Sequence, residues 1–160
     1  MNKYNNSDLN PSEIVEHPWL YETNMNIYNK YINNIDESIS VTGKWMLFYD
    51  NSNMDIKWSQ IKELYRNNEL DGVTSMKCST MYDNPRSSNK NTGVIILYCN
   101  DSYNENKIKS IGRNIMEILS YNKSMYYKTD IQTHGGTIAT GQNKNHLYKI
   151  GPFDLYSFID

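Results

Sequence analysis

The segment YKTDIQTHGGTIATGQNK, residues 127–144, concentrates the residue types that bind phosphate groups. Phosphate recognition uses backbone N–H groups that approach closely, hydroxyl donors and a cation, and this segment supplies glycines, threonines and lysines. We predict phosphate contacts from Lys128, Thr129, Thr133, His134, Thr137 and Lys144. Because the segment lacks the Gly-Lys-Ser/Thr sequence of a P-loop, an ordinary loop between edge strands is the alternative.

Two further cations and four aromatic residues extend this candidate site. Lys77 follows an alternating stretch, where a lysine either lies along a solvated strand edge or points at an anion. Arg86, in the polar loop YDNPRSSNK, is a candidate bidentate phosphate clamp, and a solvated surface charge is its alternative. The candidates for stacking on a base are Tyr82, Tyr126, Tyr127 and Trp19. For tyrosines in strands, core or cross-strand packing is the alternative.

Catalytic and metal-binding signatures are missing from the sequence. The histidines His17, His134 and His146 are far apart, and no GxSxG, CxxC or paired-carboxylate pattern occurs. We therefore predict a protein that is not an enzyme and that needs no cofactor and no metal. A phosphoesterase that uses His134, with Asp130 as its acid/base partner, is the alternative.

The elements that must position these residues follow from the hydrophobic pattern. Helical periodicity predicts a helix over residues 24–35, a second between about Asn53 and Asn67, and a third that follows the cap residues 101–104 and ends near Leu119. Short apolar runs predict strands at 44–49, 72–80, 92–100, 124–129 and 145–150. Consecutive strands joined by short loops favour an α+β fold, in which a largely antiparallel sheet carries helices on one face.

Length and composition limit the classes of protein to consider. A chain of 160 residues predicts one domain at 24–150, with an N-terminal extension at 1–23 and a C-terminal tail at 151–160 that packs on the core or on a partner. The net charge of -2 argues against binding duplex DNA, and no apolar run is long enough to cross a membrane. Cys78 and Cys99 lie in predicted strands, which is typical of buried thiols in a cytoplasmic protein.

Three sequence phrases occur in an order that identifies a resemblance: GKWMLFYDNSNMDIKW (43–58), GVTSMKCST (72–80) and YYKTDIQTHGGTIATG (126–141). They resemble the family typified by the basophilic leukemia expressed protein. That family is similar in fold to the mRNA cap-binding translation initiation factor 4E, whose own pattern the phrase KIKSIGRNIMEIL (107–119) resembles. The resemblance covers about residues 41–150. It implies a curved, mostly antiparallel sheet with two or three helices on its convex face.

The chain departs from the cap-binding pattern in its tryptophans. Cap-binding factors hold a methylated guanine between two tryptophans on separate loops, whereas Trp45 lies in a predicted strand and Trp58 on a predicted helix face. Tyrosine would then have to replace tryptophan as the stacking residue. In the resembling fold, Lys77 falls near the basic residue that meets the phosphates of the ligand.

These observations predict a protein that binds a phosphate-bearing nucleotide: an RNA 5′ end, a mononucleotide or a cyclic nucleotide signal. A viral or phage protein of this kind could sequester such a signal as an anti-defence function. The alternative is an adaptor that binds protein through the Trp58 helix and the aromatic tail FDLYSF (153–158), without a small-molecule ligand. The same tail could mediate a homodimer.

Overall fold

The computed structural model describes residues 8–32, 41–83, 91–132 and 146–152. Within them, six strands form one curved sheet in which every paired neighbour is antiparallel. The strands are β1 Trp19–Glu22, β2 Gly43–Asp50, β3 Ser75–Ser79, β4 Thr92–Cys99, β5 Met125–Thr129 and β6 Tyr148–Ile150. Their spatial order is β1-β3-β4-β2-β5-β6, so β2 pairs with β4 on one side and β5 on the other. The predicted α+β class is confirmed.

The helices match the periodicity of the sequence. They are α1 Met25–Ile32, α2 Met54–Arg66 and α3 Glu105–Leu119, with short 3₁₀ turns at Pro11–Glu13 and Asn51–Asn53. The Asn104 side chain accepts a hydrogen bond from the Lys107 backbone N–H at 3.3 Å, which caps the start of α3. Ser120 follows the last turn with a φ of 50°, in the left-handed conformation that commonly ends a helix.

Helices α2 and α3 pack on one face of the sheet, called here the core face. Trp45 of β2 is fully buried, and its Nε1–H donates to the Ile108 carbonyl of α3 at 3.1 Å. Gly112 lets α3 approach the Trp45 ring closely, and Gly93 of β4 does the same for Met54 of α2. The core face therefore fixes the position of the two central strands relative to both helices.

The register of the strands determines which residues share the opposite face. Lys77 of β3 lies across from Ile96 of β4, and Lys44 of β2 lies across from both Tyr98 of β4 and Lys128 of β5. Because side chains alternate between the two faces of a strand, these residues all lie on the face opposite Trp45. We call this the basic face, defined by Lys44, Lys77, Lys128, Lys149, Trp19, Tyr98 and Tyr126.

The N-terminal residues are more closely integrated than the sequence predicts. The sequence predicts an extension at 1–23 outside the domain, but residues Trp19–Glu22 form β1, and every residue of β1 pairs with β3. Ser12 also donates a hydrogen bond through its backbone N–H to the Asp55 carboxylate of α2 at 2.9 Å. The predicted domain boundary between residues 23 and 24 therefore does not separate an extension from the sheet. Most of the predicted tail, residues 153–160, lies outside the described residues.

Element bounds otherwise differ from the predicted ones by a few residues. The strand predicted at 72–80 begins only at Ser75, because Gly72 has a φ of 87° and Thr74 and Val73 lead into the strand through loop hydrogen bonds. Both cysteines are buried free thiols, as their strand positions indicate.

The contact between α3 and Trp45 gives a first prediction. A methyl group at Gly112 would lie 2.6 Å from Trp45 Cζ2 and 2.8 Å from Ile150 Cδ1, which is too close for either atom. We expect Gly112→Ala to lower the free energy of unfolding by about 1–3 kcal/mol, in spite of the higher helix propensity of alanine. Urea denaturation measures the change. Glu117→Ala, at an exposed position of the same helix, is the control, and equal stabilities of the two variants would contradict the tight contact.

Candidate functional site

Lys77 lies half-buried beside two aromatic rings of the basic face. Its Nζ is 4.0 Å from the ring centroid of Trp19 and 5.9 Å from that of Tyr98, both within the range of a cation–π contact. Burial, and to a smaller extent the charge of Lys44, lower the pKa of Lys77 to about 8, although Asp130 opposes both effects. The ammonium group is therefore poorly hydrated and would gain from an anionic neighbour.

Lys44 is the most deeply placed of the lysines that define the basic face. Its side chain is 8% exposed, and its Nζ lies 3.6 Å from Asp130 Oδ1 and 5.8 Å from the Tyr98 ring centroid. Burial lowers the pKa of Lys44, Asp130 raises it, and the charge of Lys128 lowers it again. The effect of burial on the pKa of Lys44 is thus larger than the opposite effect of the nearby Asp130 carboxylate.

Tyr98 links the two lysines. The ammonium groups of Lys44 and Lys77 both lie within 6 Å of its ring centroid, so the same aromatic ring makes cation–π contacts with both lysines. Burial raises the pKa of the Tyr98 hydroxyl above its ordinary value, and the charge of Asp130 adds to the effect. The hydroxyl therefore stays protonated at neutral pH and can donate a hydrogen bond.

The β5–β6 side of the basic face adds a second aromatic group. Lys128 lies directly across from Lys44, while the Tyr126 ring packs edge-on against His146 at 5.0 Å. Lys149 Nζ lies 5.6 Å from the Tyr126 ring centroid. Tyr126 is half-buried, as a stacking residue would be, and it lies on the same face as Lys77 and Lys128.

A short capping motif fixes the position of Asp130. The Thr129 Oγ1 accepts a hydrogen bond from the Gln132 backbone N–H at 3.1 Å, and Gln132 Oε1 accepts one from the Thr129 backbone N–H at 3.0 Å. This reciprocal pair is a capping box of the form Thr-x-x-Gln, and Asp130 is the first residue of the turn that it caps. The Asp130 backbone N–H also donates to the Thr42 carbonyl at 3.0 Å. These hydrogen bonds fix the backbone of Asp130, whose carboxylate lies 3.6 Å from Lys44 Nζ.

Two of the predicted site residues are wrong. Thr129 is buried, and its hydroxyl serves the capping box, so it has no group to offer a phosphate. Tyr127 is 0% exposed on the core face, where its ring packs edge-on against Trp45 and its hydroxyl pairs with Ser102 at 2.8 Å. Neighbouring residues of a strand point to opposite faces, so Tyr126 and Tyr127 cannot both reach one ligand.

The partner-binding anchor predicted at Trp58 is also wrong. The Trp58 side chain is 1% exposed and belongs to the core under α2, where the ammonium of Lys62 lies 5.7 Å from its ring centroid. A hot-spot residue must be accessible before the partner arrives. Trp58 therefore stabilises the fold, and any adaptor function would have to use other residues.

The remaining predicted residues fall into two groups. Tyr82 is exposed just after β3, with its backbone N–H bonded to Thr80 Oγ1, and it is not brought next to the lysines by any strand pairing. Outside the described residues lie Arg86, Thr133, His134, Thr137 and Lys144. Among the residues that the structure does describe, no cluster of histidine, cysteine or carboxylate side chains could hold a metal ion, and no helix is suited to crossing a membrane.

The sequence reasoning missed Lys44 and Tyr98, and it considered Asp130 only as an acid/base partner of His134. Lys44, Met46 and Phe48 are alternate residues of one strand, and this pattern places Lys44 on the face opposite Trp45. The register that brings Lys44 beside Lys128 depends on tertiary pairing. The Thr-x-x-Gln signal at residues 129–132 was present and would have identified the role of Thr129.

A separate groove of about 990 Å³ lies beside the outer strand β1 and is lined by Tyr21, Glu22 and Arg66, among others. Arg66 is held there by Glu22 at 2.5 Å and by Asp8 at 3.0 Å, so its cation is already neutralised. The basic face, where several lysines of the described strands lie on one side of the sheet, is the better candidate for an anion.

The comparisons with known proteins agree with this architecture. A family model described as basophilic leukemia-expressed protein Bles03 matches residues 11–136. Two solved structures of schistosome eIF4E, one complexed with m7GpppA and 4E-BP and one with m7GpppG and 4E-BP, share the fold. Each has 17% sequence identity and a TM-score of 0.61, and the match covers 89% of this chain and 75% of the other. No curated protein gives a significant match.

The lowered pKa of Lys77 predicts how its replacement changes stability. In the folded state the pKa is about 8, below the ordinary value of 10.5, so the unfolded chain binds more protons between these values. The charged Lys77 therefore costs stability below pH 8, and this cost is relieved as the pH rises towards 10.5. Discounted for partial exposure, Lys77→Met should raise the free energy of unfolding by on the order of 1 kcal/mol at pH 7.

Urea denaturation of this variant at pH 7 and at pH 9.5 measures the effect, and the gain should shrink at the higher pH. Lys123→Met, at an exposed position, is the matched control and should change stability by less than about 0.5 kcal/mol. If Lys77→Met is destabilising at pH 7, the contact of Lys77 with Trp19 outweighs its desolvation and the account of Lys77 is wrong.

Proposed function

The chain belongs to the basophilic leukemia-expressed protein Bles03 family, and on this basis we propose that it binds a phosphate-bearing nucleotide on the basic face without catalysing a reaction. The lysines supply charge for the phosphates, and the aromatic rings supply surface for the base.

The juxtaposition of Lys44, Lys77 and Lys128 is the observation on which the proposal depends. Lys44 and Lys128 lie directly across from each other on paired strands, where like charges are destabilising. Lys44 and Lys77 are also partly removed from water, and the charge of Lys44 lowers the pKa of Lys77. A fold gains no stability from this arrangement, whereas a polyanionic ligand would relieve both the repulsion and the poor hydration.

The aromatic residues favour a nucleotide over a simple anion. Tyr126 and Trp19 are half-buried at either side of the lysines, and aromatic side chains in such positions stack on bases of any sequence. The eIF4E structures that share this fold are complexed with m7GpppA or m7GpppG, which supports the choice of a nucleotide. Since Trp45 and Trp58 are both buried, we infer that the base is held differently from a base between two loop tryptophans.

The proposal includes three ligand classes that have the same chemistry: an RNA 5′ end, a mononucleotide and a cyclic nucleotide signal. A cyclic monophosphate brings a single charge per phosphate, whereas a triphosphate end brings several, so affinity should rise with phosphate number if the lysines dominate. Sequestration of a signalling nucleotide in the cytoplasm, as an anti-defence function, would require the cyclic ligand to bind as tightly as the triphosphate.

A protein partner is the second candidate function, because the same eIF4E structures also contain 4E-BP. The burial of Trp58 removes the anchor first expected for it, so the aromatic residues 153–158 would have to contribute. The mass in solution, measured with and without residues 151–160, tests whether the tail mediates a homodimer. A loss of stability without a change in mass would indicate that the tail packs on its own chain.

Replacement of the lysines should weaken nucleotide binding. We expect Lys77→Met and Lys128→Met each to lower the affinity for GTP roughly 10- to 100-fold, because each removes a charge-assisted contact with phosphate. Isothermal titration calorimetry with GTP, GMP and a cyclic mononucleotide measures the affinities. Lys123→Met is the control with the same loss of charge away from Lys44, and equal weakening by all three variants would contradict a localised site.

The pKa of Lys77 also predicts a pH dependence of binding. A bound phosphate favours the ammonium form, so the bound protein holds its proton to a higher pH than the free protein, whose Lys77 has a pKa of about 8. Binding therefore takes up a proton above pH 8, and the affinity should fall by up to about tenfold per pH unit there. In Lys77→Met this dependence should be lost, and a slope that persists in the variant would assign it to another group.

A further inference from the structure

Among the described residues, Asp130 supplies a carboxylate that forms an ion pair with a lysine of the basic face. Its Oδ1 is 3.6 Å from Lys44 Nζ, and its side chain is 38% exposed while that of Lys44 is 8% exposed. The lysine is thus the buried partner and the carboxylate is the solvent-facing one. A ligand that approaches Lys44 from solvent meets Asp130 at the same position.

The charge of Asp130 reaches beyond Lys44. It raises the pKa of Lys77, which belongs to a strand two positions away from β2 in the sheet, and it also raises the pKa of the Tyr98 hydroxyl. The charge of Asp130 therefore acts on Lys44, on Lys77 and on the hydroxyl of Tyr98. This is the effect that a bound phosphate would have on the same groups.

The chain holds Asp130 there by backbone and capping contacts that do not involve its carboxylate. The capping box between Thr129 and Gln132 and the hydrogen bond from the Asp130 N–H to the Thr42 carbonyl position the residue. The carboxylate itself is free to leave Lys44 without breaking this turn. The backbone position of Asp130 is therefore set by the turn, and the charge of its side chain is not needed to form that turn.

From this geometry we propose that Asp130 is an internal competitor for the ligand, occupying the anion position beside Lys44 until a phosphate group displaces it. This inference rests on the proposed function, and it identifies Asp130 as the residue that limits the affinity of the protein for the phosphate ligand. In the free protein, Asp130 offsets part of the repulsion between Lys44 and Lys128. When a polyphosphate binds, that role passes to the ligand, and the Asp130 side chain turns to solvent.

The proposal predicts a gain of affinity on removing a charge. Asp130→Asn keeps the shape and the backbone contacts of the residue but no longer competes for Lys44. We expect it to bind pyrophosphate, the probe, about tenfold or more tightly than the unaltered protein, as measured by calorimetry at pH 7 and low salt. Asp130→Glu keeps the charge and should gain less than Asp130→Asn. Circular dichroism and thermal unfolding establish that both variants fold.

The control is Asp101→Asn, which removes a carboxylate of the same kind from an ion pair with Lys107 Nζ, also at 3.6 Å, outside the basic face. It should leave pyrophosphate binding unchanged, so a gain in this variant as large as in Asp130→Asn would overturn the proposal by assigning the effect to net charge alone.

A second readout does not depend on a ligand. NMR titration of the lysine side chains should show lower pKa values for Lys44 and Lys77 in Asp130→Asn than in the unaltered protein, because the favourable carboxylate is gone. If pyrophosphate binds the unaltered protein but Asp130→Asn binds it equally or more weakly, the competitor role is overturned while the nucleotide site stands. If pyrophosphate and GTP bind no variant at millimolar concentration, the proposed function fails, and this inference fails with it.

Discussion

The cost of holding several lysines on one face of a sheet, partly out of water, is the constraint on which this structure depends. Lys44 and Lys128 face each other across paired strands, and Lys77 shares the Tyr98 ring with Lys44. Within the described ranges, one carboxylate, that of Asp130, offsets their charge at close range. Aromatic rings lessen the cost through cation–π contacts without removing it. A chain that keeps such an arrangement needs a rigid scaffold behind it.

The core face provides that scaffold. Trp45, adjacent to Lys44 in the chain, is fully buried and bonded to the Ile108 carbonyl, and Gly112 lets α3 pack directly on its ring. Because alternate residues point to opposite faces, the anchoring of Trp45 fixes the direction of Lys44. A slip of one residue in β2 would send the lysine into the core and the tryptophan into solvent, so the register is specified by a large difference in burial.

Much of this fold could be predicted from the pattern of apolar residues, and part of the site followed from it. The amphipathic stripe of α3 and the alternation in the strands are local signals. The same alternation predicts on which face of its own strand each of Lys77, Tyr126 and Lys128 lies. The four-residue strand β1 was missed because it is short and directly follows Pro18, and only its pairing with β3 identifies it. Thr129 and Tyr127 were assigned to the site by residue type alone, although each lies on the core side of β5. The meeting of Lys44 with Lys128 and Asp130 depends on long-range pairing, which no local pattern encodes.

The most direct test of a ligand site on the basic face is an NMR titration of the protein with GTP, in which the lysine side chains and the backbone amides are observed together. If the ligand binds there, the largest shifts fall on Lys44, Lys77, Lys128 and the amides around Tyr98, with little change along α2 and α3. Shifts that concentrate on α2 or α3, or that spread evenly over exposed lysines such as Lys30 and Lys123, would contradict it.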